Sequence, residues 1–350
     1  MNIPKRTPAK ILIIRLSSIG DILLSTPFIR LVRNRYPEAK IDFVVKRVYR
    51  DLLKFNPHID QLYEISLNNG RSELSELKQS FKSNTYDVVF DLHNNFRSNY
   101  LKRHIGAGEI HSIHKGKFKQ TLLVRFKFNL YKREITIPER YLGVAGDFGI
   151  KDDKKGLDLY WEGETQKSAD AKATSFGINL DRPFMGLAPG AGFFTKRWPV
   201  PKFENLIELI RLKKDIQVVI FGGKEDRQIG RELTNQKNVF DLCGKLSLLE
   251  TAALISKSKL IVTNDTGLMH MTTAVNTPVL AIFGSTVREL GFFPYRAEAT
   301  VVENTKLSCR PCSHIGRHKC PKGHFKCMED ISVEQVYNAL DQLIKAKSKK

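Results

Sequence analysis

The feature that most constrains the fold is a series of short, uninterrupted apolar runs that alternate with helix-forming stretches. The first run is "AKILIIRL", residues 9–16, and a later one, "YDVVFDLHN", ends in polar residues at 86–94. Continuous apolar runs of this length are typical of strands buried on both faces of a parallel sheet, because crossover helices cover both faces. The alternation predicts a doubly wound α/β domain in the first half of the chain.

The same alternation restarts after a polar stretch around residues 151–175. Strands are predicted at "FMGLAPGAG", "IQVVIFGG", "KLIVTND" and "PVLAIFGST", with helices between them. One of these helices, residues 203–214, has four apolar residues at helical spacing, and the last helix has Ser332 and Gln335 placed for a capping box. We therefore expect two Rossmann-like doubly wound domains facing each other across a cleft, at residues 1–165 and 176–330. A C-terminal helix and basic tail follow at 331–350.

The charge of the chain points to anionic partners. Lys and Arg total 57 against 37 for Asp and Glu, a formal charge of +20. This excess indicates nucleic acid, an anionic membrane face or phosphorylated substrates, or else a generally solvated basic surface. No apolar run approaches the ~20 residues that span a bilayer, and "MNIPKRTPAK" lacks the apolar core of a signal peptide. We therefore expect a cytoplasmic protein.

Four polar or glycine-rich turns follow strands of the second half, where open α/β sheets bind ligands. They are "APGAGFFTKRWP", "GGKED", "NDTGLMH" and "GST". Gly190, Gly192 and Gly267 allow a ligand to approach the backbone closely. The helix that begins near Thr266 offers unpaired amides and a positive dipole end, and Lys196 adds a mobile positive charge. Together these turns predict a diphosphate site.

Each element of this site has an ordinary alternative when it is taken alone. Asp265 or Thr266 would serve as a helix N-cap, Lys196 would lie on a solvated loop, and His270 would be a core histidine. Neither half has a G-x-G-x-x-G after its first strand, and no Walker A loop is present, so a dinucleotide-binding dehydrogenase is excluded.

The first half carries a complementary turn, "RLSSIGD", at the end of its first strand. Ser17, Ser18 and Gly20 leave room for a substrate against the backbone, and Asp21 supplies a carboxylate. Near a helix N-terminus this carboxylate stays ionised, so it is available as a general base toward a hydroxyl group. The alternative is that Asp21 only caps the helix.

Three segments, "RLSSIGDILLSTP", "PGAGFFTKRWP" and "NDTGLMHMTTAV", resemble the heptosyltransferases of glycosyltransferase family 9. These cytoplasmic enzymes build the inner core of bacterial lipopolysaccharide. The resemblance runs from about Lys10 to Ile344. The "PGA…KRWP" run and the cysteine-rich tail look most like the branch that adds the second heptose.

The resemblance implies a GT-B fold in which the N-terminal half holds the acceptor and the C-terminal half holds an ADP-activated sugar. The implied catalytic residues are Asp21 and Lys196, and the acceptor contacts are expected from Ser17, Ser18, Gly20 and Arg97. The expected nucleotide-sugar contacts are Gly190, Ala191, Gly192, Lys196, Glu225, Asp265, Thr266, Gly267, His270 and Ser285. Some family members have hydroxyl residues where this chain has Ala191 and Gly192, so contacts there would come from backbone amides.

The function that follows is an inverting transfer of heptose from ADP-heptose to the lipopolysaccharide inner core, with no cofactor. No Asp-x-Asp pair lies at either ligand turn, so protein groups rather than Mg²⁺ are expected to neutralise the leaving group. Two alternatives stay open. One keeps the fold but changes the nucleotide sugar or the acceptor, and the other is a non-enzymatic basic protein that binds membrane or nucleic acid.

Two further segments carry expectations about partners. The basic stretch 101–133 contains interleaved aromatic residues and is assigned to the acceptor half. Its composition predicts peripheral attachment to the inner face of the cytoplasmic membrane. A lipid-anchored phosphorylated acceptor would be bound at that surface. A solvated helix face is the alternative, and no nucleic-acid partner is expected. Near the C-terminus, Cys309, Cys312, Cys320 and Cys327 predict either a structural zinc site or local disulfides.

Overall fold

The computed structural model describes residues 7–66, 81 and 85–347. The chain divides into two compact units, each built around one parallel sheet. Unit 1 consists of Met1–Lys115 and Ile137–Tyr160, and unit 2 of Gly116–Thr136 and Trp161–Lys350. The expectation of two Rossmann-like α/β domains is confirmed at the level of the individual units.

Unit 1 contains a five-stranded sheet in which every neighbouring pair is parallel. Its strands are β1 (Lys10–Ile14), β2 (Lys40–Lys46), β3 (Gln61–Ile65), β4 (Thr85–Asp91) and β5 (Gly106–Ser112). They are arranged in the order β3-β2-β1-β4-β5. The central strand β1 is buried over its apolar residues, as its uninterrupted hydrophobic run predicts.

The helices of unit 1 with described bounds are α1 (Ile19–Leu23), α2 (Thr26–Arg35), α3 (Phe96–Lys102) and α5 (Ile137–Leu142). Turns of 3₁₀ helix lie at Arg47–Leu52 and Gly143–Phe148. The helix α4 lies between α3 and α5 in the chain but belongs to unit 2. Residues 22–37 are predicted as one helical stretch, but the structure breaks this stretch into α1 and α2. Pro27 lies in the first turn of α2 and has no amide to continue an earlier helix. The hydroxyls of Ser25 and Thr26 instead donate to carbonyls of the last turn of α1.

Unit 2 contains a six-stranded sheet that is also parallel throughout. Its strands are β6 (Phe184–Ala188), β7 (Gln217–Ile220), β8 (Val239–Asp241), β9 (Ile261–Asn264), β10 (Val279–Phe283) and β11 (Ala299–Glu303). The order is β11-β10-β9-β6-β7-β8. Gly186 in β6 is required by packing, because a Cβ there would overlap the side chains of Ile261 and Phe221.

The helices of unit 2 are α4 (Lys117–Thr121), α6 (Gly163–Ser175), α7 (Val200–Lys213), α8 (Arg227–Leu233), α9 (Leu248–Lys257), α10 (Gly267–Ala274), α11 (Lys326–Glu329) and α12 (Val333–Lys347). A π-helical turn, Leu122–Phe126, and 3₁₀ turns at Phe194–Lys196, Lys224–Asp226 and Arg288–Leu290 complete the list. The four apolar residues of α7 are fully buried, as their spacing predicts. The capping box of α12 is confirmed by hydrogen bonds in both directions between Ser332 and Gln335.

The division into units differs from the sequence-based boundaries at three places. Residues 163–175 form α6, which packs its buried Ala169 and Ala173 toward α9 and pairs Lys172 with Glu250 at 2.7 Å. The last helix, α12, contributes Val336 and Leu340 to the core of unit 2 instead of forming a separate segment. Residues 116–136 belong to unit 2 by their contacts, not to the N-terminal half. Tail residues 348–350 lie outside the described residues.

Membrane-spanning helices were sought among the described residues. None of the helices there is both long and apolar enough to cross a bilayer.

Candidate functional site

The strand order of unit 2 has one point at which the chain turns from one side of the sheet to the other. It lies between the adjacent strands β6 and β9. Ligands of open α/β sheets bind at such a point, beyond the carboxyl ends of the two strands. The loops that leave these ends are the glycine-rich turn after β6 and the Asp265–Thr266 turn after β9, which are two of the four predicted ligand turns.

Asp265 connects three of the four predicted turns. Its Oδ2 atom lies 2.7 Å from the Lys196 ammonium, which comes from the turn after β6. The same oxygen accepts a hydrogen bond of 2.7 Å from the Thr286 hydroxyl, in the turn after β10. Asp265 is 5% exposed and the Lys196 side chain 16%. Asp265 therefore acts through Lys196, fixing the ammonium beside the start of α10.

The N-terminus of α10 is not capped by the residue that precedes it. Thr266 occupies the N-cap position in extended conformation, but its side chain makes no capping hydrogen bond. The first amides of α10, from Gly267 onward, are therefore left for a ligand to satisfy, and an anion suits them. His270, one turn later, is buried. Because His270 is only 3% exposed, its contact with a ligand stays a prediction.

The glycine-rich turn after β6 is held by hydrogen bonds from the end of β9 and from a later residue of its own loop. The Asn264 amide donates to the Pro189 carbonyl at 2.7 Å, and the Arg197 guanidinium donates to the Ala191 carbonyl at 2.7 Å. A Cβ on Gly190 would overlap the buried Asp226 carboxylate, whereas a Cβ on Gly192 would meet no atom within 4 Å. Gly190 is thus required by packing inside the protein, and the space beside Gly192 is open.

Ser285 lies in the turn after β10 and joins this turn to the loop after β6. Its hydroxyl accepts a hydrogen bond of 3.0 Å from the Thr195 hydroxyl, and its amide donates to the Thr195 carbonyl at 3.3 Å. Ser285 is fully buried. Ser285 therefore holds the loop that carries Lys196, and its direct contact with a ligand stays a prediction.

The fourth turn, after β7, contains both Glu225 and Asp226. Glu225 is exposed at the surface of the 3₁₀ turn, which leaves its carboxylate accessible to a ligand. Asp226 is buried and accepts the Gly223 amide at 2.9 Å. Burial and the neighbouring charge of Glu225 raise the pKa of Asp226 despite that bond. Asp226 therefore supports the turn, while Glu225 is the carboxylate that faces outward.

The cysteine-rich segment braces the Lys196 loop, a role that the sequence pattern does not reveal. Thr195 exchanges two hydrogen bonds with the backbone of Arg317, of 3.1 and 2.8 Å. The Phe194 ring stacks on Phe325 at 4.5 Å between centroids. Burial, together with the positive charge of Lys196, lowers the pKa of His314, which therefore stays neutral at pH 7. This places an uncharged imidazole near the ammonium.

Arg310 anchors the same segment to the turn after β10. Its guanidinium donates to the carbonyls of Gly284 at 2.5 Å and Thr286 at 2.8 Å, and pairs with Glu303 at 2.6 Å. The only hint in the sequence is an arginine between two cysteines. The Gly284 and Thr286 carbonyls lie more than twenty residues away, whereas a third carbonyl partner, that of Asn304 at 2.6 Å, lies six residues away.

The four clustered cysteines are free thiols in the structure. The Sγ atom of Cys309 lies 3.9 Å from Nε2 of His324. Burial raises the pKa of Cys312, and it raises that of Cys327 to about 12. Among residues 7–66, 81 and 85–347, no group of three or more His, Cys, Asp and Glu side chains is arranged to hold a metal ion. Zinc binding and disulfide formation both remain predictions.

The corresponding switch point of unit 1 lies between β1 and β4. The turn after β1 carries Ser17, Ser18, Gly20 and Asp21, and the turn after β4 leads into α3 with Arg97. The five residues predicted for the acceptor side thus lie in the two turns at which a ligand of unit 1 is expected, or in the first turns of the helices α1 and α3 that follow them.

Asp21 lies in the first turn of α1 and is bound by two residues. Its Oδ1 atom lies 2.5 Å from the Arg15 guanidinium, and its Oδ2 atom accepts from the Ser18 amide at 3.2 Å and the Ser18 hydroxyl at 2.9 Å. The expected capping contact is therefore present, and Arg15 is a partner that sequence reasoning missed. A carboxylate has about four lone-pair sites, so these three bonds leave room for one more donor.

The environment of Asp21 keeps its carboxyl ionised. Burial by itself would raise the pKa of Asp21, but the charge of Arg15 and the bonds from Ser18 outweigh it and hold the pKa below the usual range. Arg15 is itself fixed by a bond of 2.6 Å to the Leu92 carbonyl. The carboxylate is therefore available to accept a proton at neutral pH, at the cost of weak basicity.

Two further side chains lie at this edge of unit 1. The His93 Nδ1 atom accepts the Leu16 amide at 3.3 Å, and burial and nearby cations lower the pKa of His93 to about 4, so the ring is neutral. Arg97 is exposed, and its charge adds to burial in lowering the pKa of Lys46 at the end of β2. Arg97 and Lys46 therefore form a positive pair suited to an anionic group.

Comparison with known proteins places the chain in a family. The family model described as "Glycosyltransferase family 9 (heptosyltransferase)" matches residues 74–322. The chain belongs to glycosyltransferase family 9. The match covers the turn after β4 in unit 1 and all four ligand turns of unit 2, and the resemblance drawn from the sequence motifs is thereby confirmed.

Relatives match over almost the whole chain. Lipopolysaccharide heptosyltransferase 2 of Escherichia coli K12 is 30% identical over 356 aligned positions, covering 96% of this chain and 98% of that protein. The crystal structure of a glycosyl transferase family 9 protein from Veillonella parvula is 25% identical, with a TM-score of 0.80 and 97% of each chain covered. The structure of E. coli ADP-heptose lps heptosyltransferase II is 26% identical, with a TM-score of 0.75, covering 97% of this chain and 99% of that one. The GT-B fold class and the glycosyltransferase assignment are thus established.

Proposed function

We propose that the protein is an inverting, metal-independent heptosyltransferase that moves a heptose from ADP-heptose to the inner core of lipopolysaccharide. Family membership supports sugar transfer, and the similarity to E. coli ADP-heptose lps heptosyltransferase II supports ADP-heptose as the donor. The observation that carries the proposal is the Lys196 ammonium, held 2.7 Å from Asp265 beside the uncapped start of α10.

On the donor side, the diphosphate of ADP-heptose binds at the turn after β9. The amides that open α10 and the Lys196 ammonium face its oxygens, and Asp265 fixes the ammonium in place. Gly192 provides an open approach to the backbone, and Glu225 is exposed for the adenosine ribose. As ADP departs, charge develops on the diphosphate. A fixed donor aimed at such charge is worth ~3–4 kcal/mol in the transition state.

On the acceptor side, the reacting hydroxyl binds at the remaining lone-pair site of Asp21. The hydroxyl oxygen forms a bond to the anomeric carbon while the bond from that carbon to the diphosphate oxygen breaks, so the carbon is inverted. The hydroxyl proton goes to Asp21, and the electron pair of the broken bond leaves with ADP. Arg97 and Lys46 suit the phosphates of the acceptor.

The proposed setting is the inner face of the cytoplasmic membrane, where a lipid-anchored acceptor is available. Partners are the ADP-activated sugar, the phosphorylated lipid-linked oligosaccharide and the membrane surface, with no nucleic acid. Lys196 and the amides of α10 neutralise the leaving group, so no metal ion is needed for transfer.

The deciding experiment is incubation with ADP-heptose and a heptose-deficient core acceptor, with product mass as the readout. We expect product from the natural chain and a loss of about 10²–10⁴-fold in rate for Asp21→Asn. ADP affinity, measured by calorimetry, should change little in that variant. The exposed Asp147→Asn in the same unit is the matched control and should keep full activity. Equal activity of Asp21→Asn and the natural chain would remove Asp21 from the mechanism.

Assays of the same purified protein distinguish two other functions. A transferase for a different sugar or acceptor would give no product here but would release ADP from another nucleotide sugar. A non-enzymatic basic protein would show no rise in melting temperature with ADP, but a salt-sensitive response to polyanions.

A further inference from the structure

Two stretches of unit 2 that lack carboxylates are brought together by the fold. Residues 116–133 contain six Lys and Arg residues, residues 304–328 contain another six, and neither has an Asp or a Glu. Together they hold twelve positive charges and no negative one, against an excess of twenty over the whole chain. The basic character of the protein is therefore concentrated in these two stretches, which we call the basic face.

Lys127 joins the two stretches. Its ammonium donates to the Pro311 carbonyl at 2.5 Å. The pKa of Lys127 is lowered by burial and also by the charges of Arg317 and Lys322, so cations of the second stretch lie near it. The two stretches are 184 residues apart at this contact, and their proximity is a property of the tertiary structure alone.

Carboxylates outside the two stretches reach the basic face, and Glu303 neutralises one of the twelve cations by pairing with Arg310 at 2.6 Å. Glu134 pairs with Arg288 at 3.2 Å, and Glu289 accepts a hydrogen bond of 2.9 Å from the Asn129 side chain. Most of the cations in the two stretches are exposed, including Lys119, Arg125 and Lys319. The charge is therefore available to an external partner.

Large apolar side chains project from the same face. Phe118 is 73% exposed, Phe126 64% and Phe128 59%, and Ile315 in the second stretch is about half exposed. Exposed phenylalanines among lysines and arginines are typical of segments that lie in the interface of an anionic membrane, where the rings enter the headgroup region and the cations remain in water. Exposure of this much apolar surface is costly in water. The Arg125 guanidinium lies 5.8 Å from the centroid of the Phe126 ring, but that ring is still 64% exposed.

We propose that the basic face docks unit 2 onto the surface of a bilayer that contains anionic lipid. This deepens the proposed function, on which it rests for the lipid-anchored acceptor. It also corrects the assignment of residues 116–133 to the acceptor half, since residues 116–136 are part of unit 2, while residues 101–115 belong to unit 1 as expected. The unit that binds the activated sugar thus makes the attachment. Stacked bases of RNA are the competing partner for aromatic and basic groups, and the test includes them.

The test is co-sedimentation of the full chain with vesicles of phosphatidylcholine alone or mixed with phosphatidylglycerol. One variant combines Arg125→Gln with Phe126→Ala, and a second combines Phe118→Ala with Lys119→Gln. The matched control combines Leu212→Ala with Lys213→Gln on α7, where Leu212 is 75% exposed in the same unit. Each variant removes one exposed apolar side chain and one positive charge. Thermal melting checks that all three remain folded.

We expect the natural chain to bind only the anionic vesicles. Each test variant should bind the anionic vesicles at least about fivefold more weakly, because the loss of one cation near an anionic surface weakens binding by about that factor. The control variant should bind as the natural chain does. Equal weakening by the control, binding to neutral vesicles, or binding to single-stranded RNA as strong as to vesicles would overturn the proposal. Transfer to a delipidated, water-soluble acceptor should survive in both test variants, so a failure of vesicle binding is separable from a failure of the proposed function.

Discussion

Replacing Arg15 with methionine tests the base role of Asp21, because Arg15 controls the proton affinity of that carboxylate. The guanidinium lies 2.5 Å from Asp21 Oδ1 and its side chain is 11% exposed. Burial by itself raises the pKa of Asp21, and the charge of Arg15 is the first of the effects that outweigh it. Without Arg15, burial remains and the Ser18 bonds alone oppose it, so the pKa of Asp21 rises.

The size of the change follows from the bond that is lost. A hydrogen bond to a charged group contributes about 1.5–3 kcal/mol, and one pH unit corresponds to about 1.4 kcal/mol. The acidic limb of the kcat/KM profile, which reports the free enzyme, should therefore move upward by about one to two pH units in Arg15→Met. Arg15→Lys keeps a positive charge and should show a smaller movement.

The assay is kcat/KM for heptose transfer from about pH 4 to pH 9 for the natural chain and both variants. An acidic limb that stays in place in an active Arg15→Met variant would refute the reasoning, since the base would then be a group that Arg15 does not influence. Urea unfolding supplies an independent readout. Because folding lowers the pKa of Asp21, stability from this ion pair is present above about pH 4 and is lost as the pH falls through the lower folded value.

The remaining predictions concern unit 2. Asp265→Asn removes the charged partner that lies 2.7 Å from the Lys196 ammonium. We expect the affinity for ADP, measured by calorimetry, to fall by at least tenfold. An unchanged affinity would show that Lys196 does not need Asp265 to position it. Gly190→Ala should lower the free energy of unfolding by about 1–3 kcal/mol, because the added Cβ would overlap Asp226. Gly192→Ala should leave the free energy of unfolding unchanged, since nothing lies near its Cβ position. Urea titrations measure both, and a larger loss in Gly192→Ala than in Gly190→Ala would contradict the packing described. Addition of EDTA should leave turnover unaffected, and activity that is lost and then restored by Mg²⁺ would show that a metal takes part.

Much of the fold was predictable because its signals are local. The runs at β1, β6, β9 and β10 are continuous and apolar, and each was identified as a strand from its own residues. The strand β5, "GAGEIHS", was missed because it has alternating exposure and two glycines, the pattern of a sheet edge instead of a buried centre.

The candidate site was predictable as a set of turns but not as a set of contacts. The residues Lys196, Asp265 and Thr266 were identified from turns at strand ends. That Asp265 binds Lys196 and Thr286, and that Ser285 is buried against Thr195, depends on which strands are neighbours. The same holds for Arg15, whose partner Asp21 is close in sequence but is reached only through the turn that follows β1.

The sequence by itself determined the fold class, the family and the positions of the ligand turns, because apolar periodicity and turn residues act over a few positions along the chain. Only the tertiary structure decided which side chains support Lys196 and Asp21, and which unit carries residues 116–136. It also brought two distant acid-free stretches together through Lys127 and Pro311. Such pairings depend on strand order and crossover connections. These bring together residues that are distant in the chain, such as Lys127 and Pro311 at 184 positions, and they leave no periodic trace in the sequence.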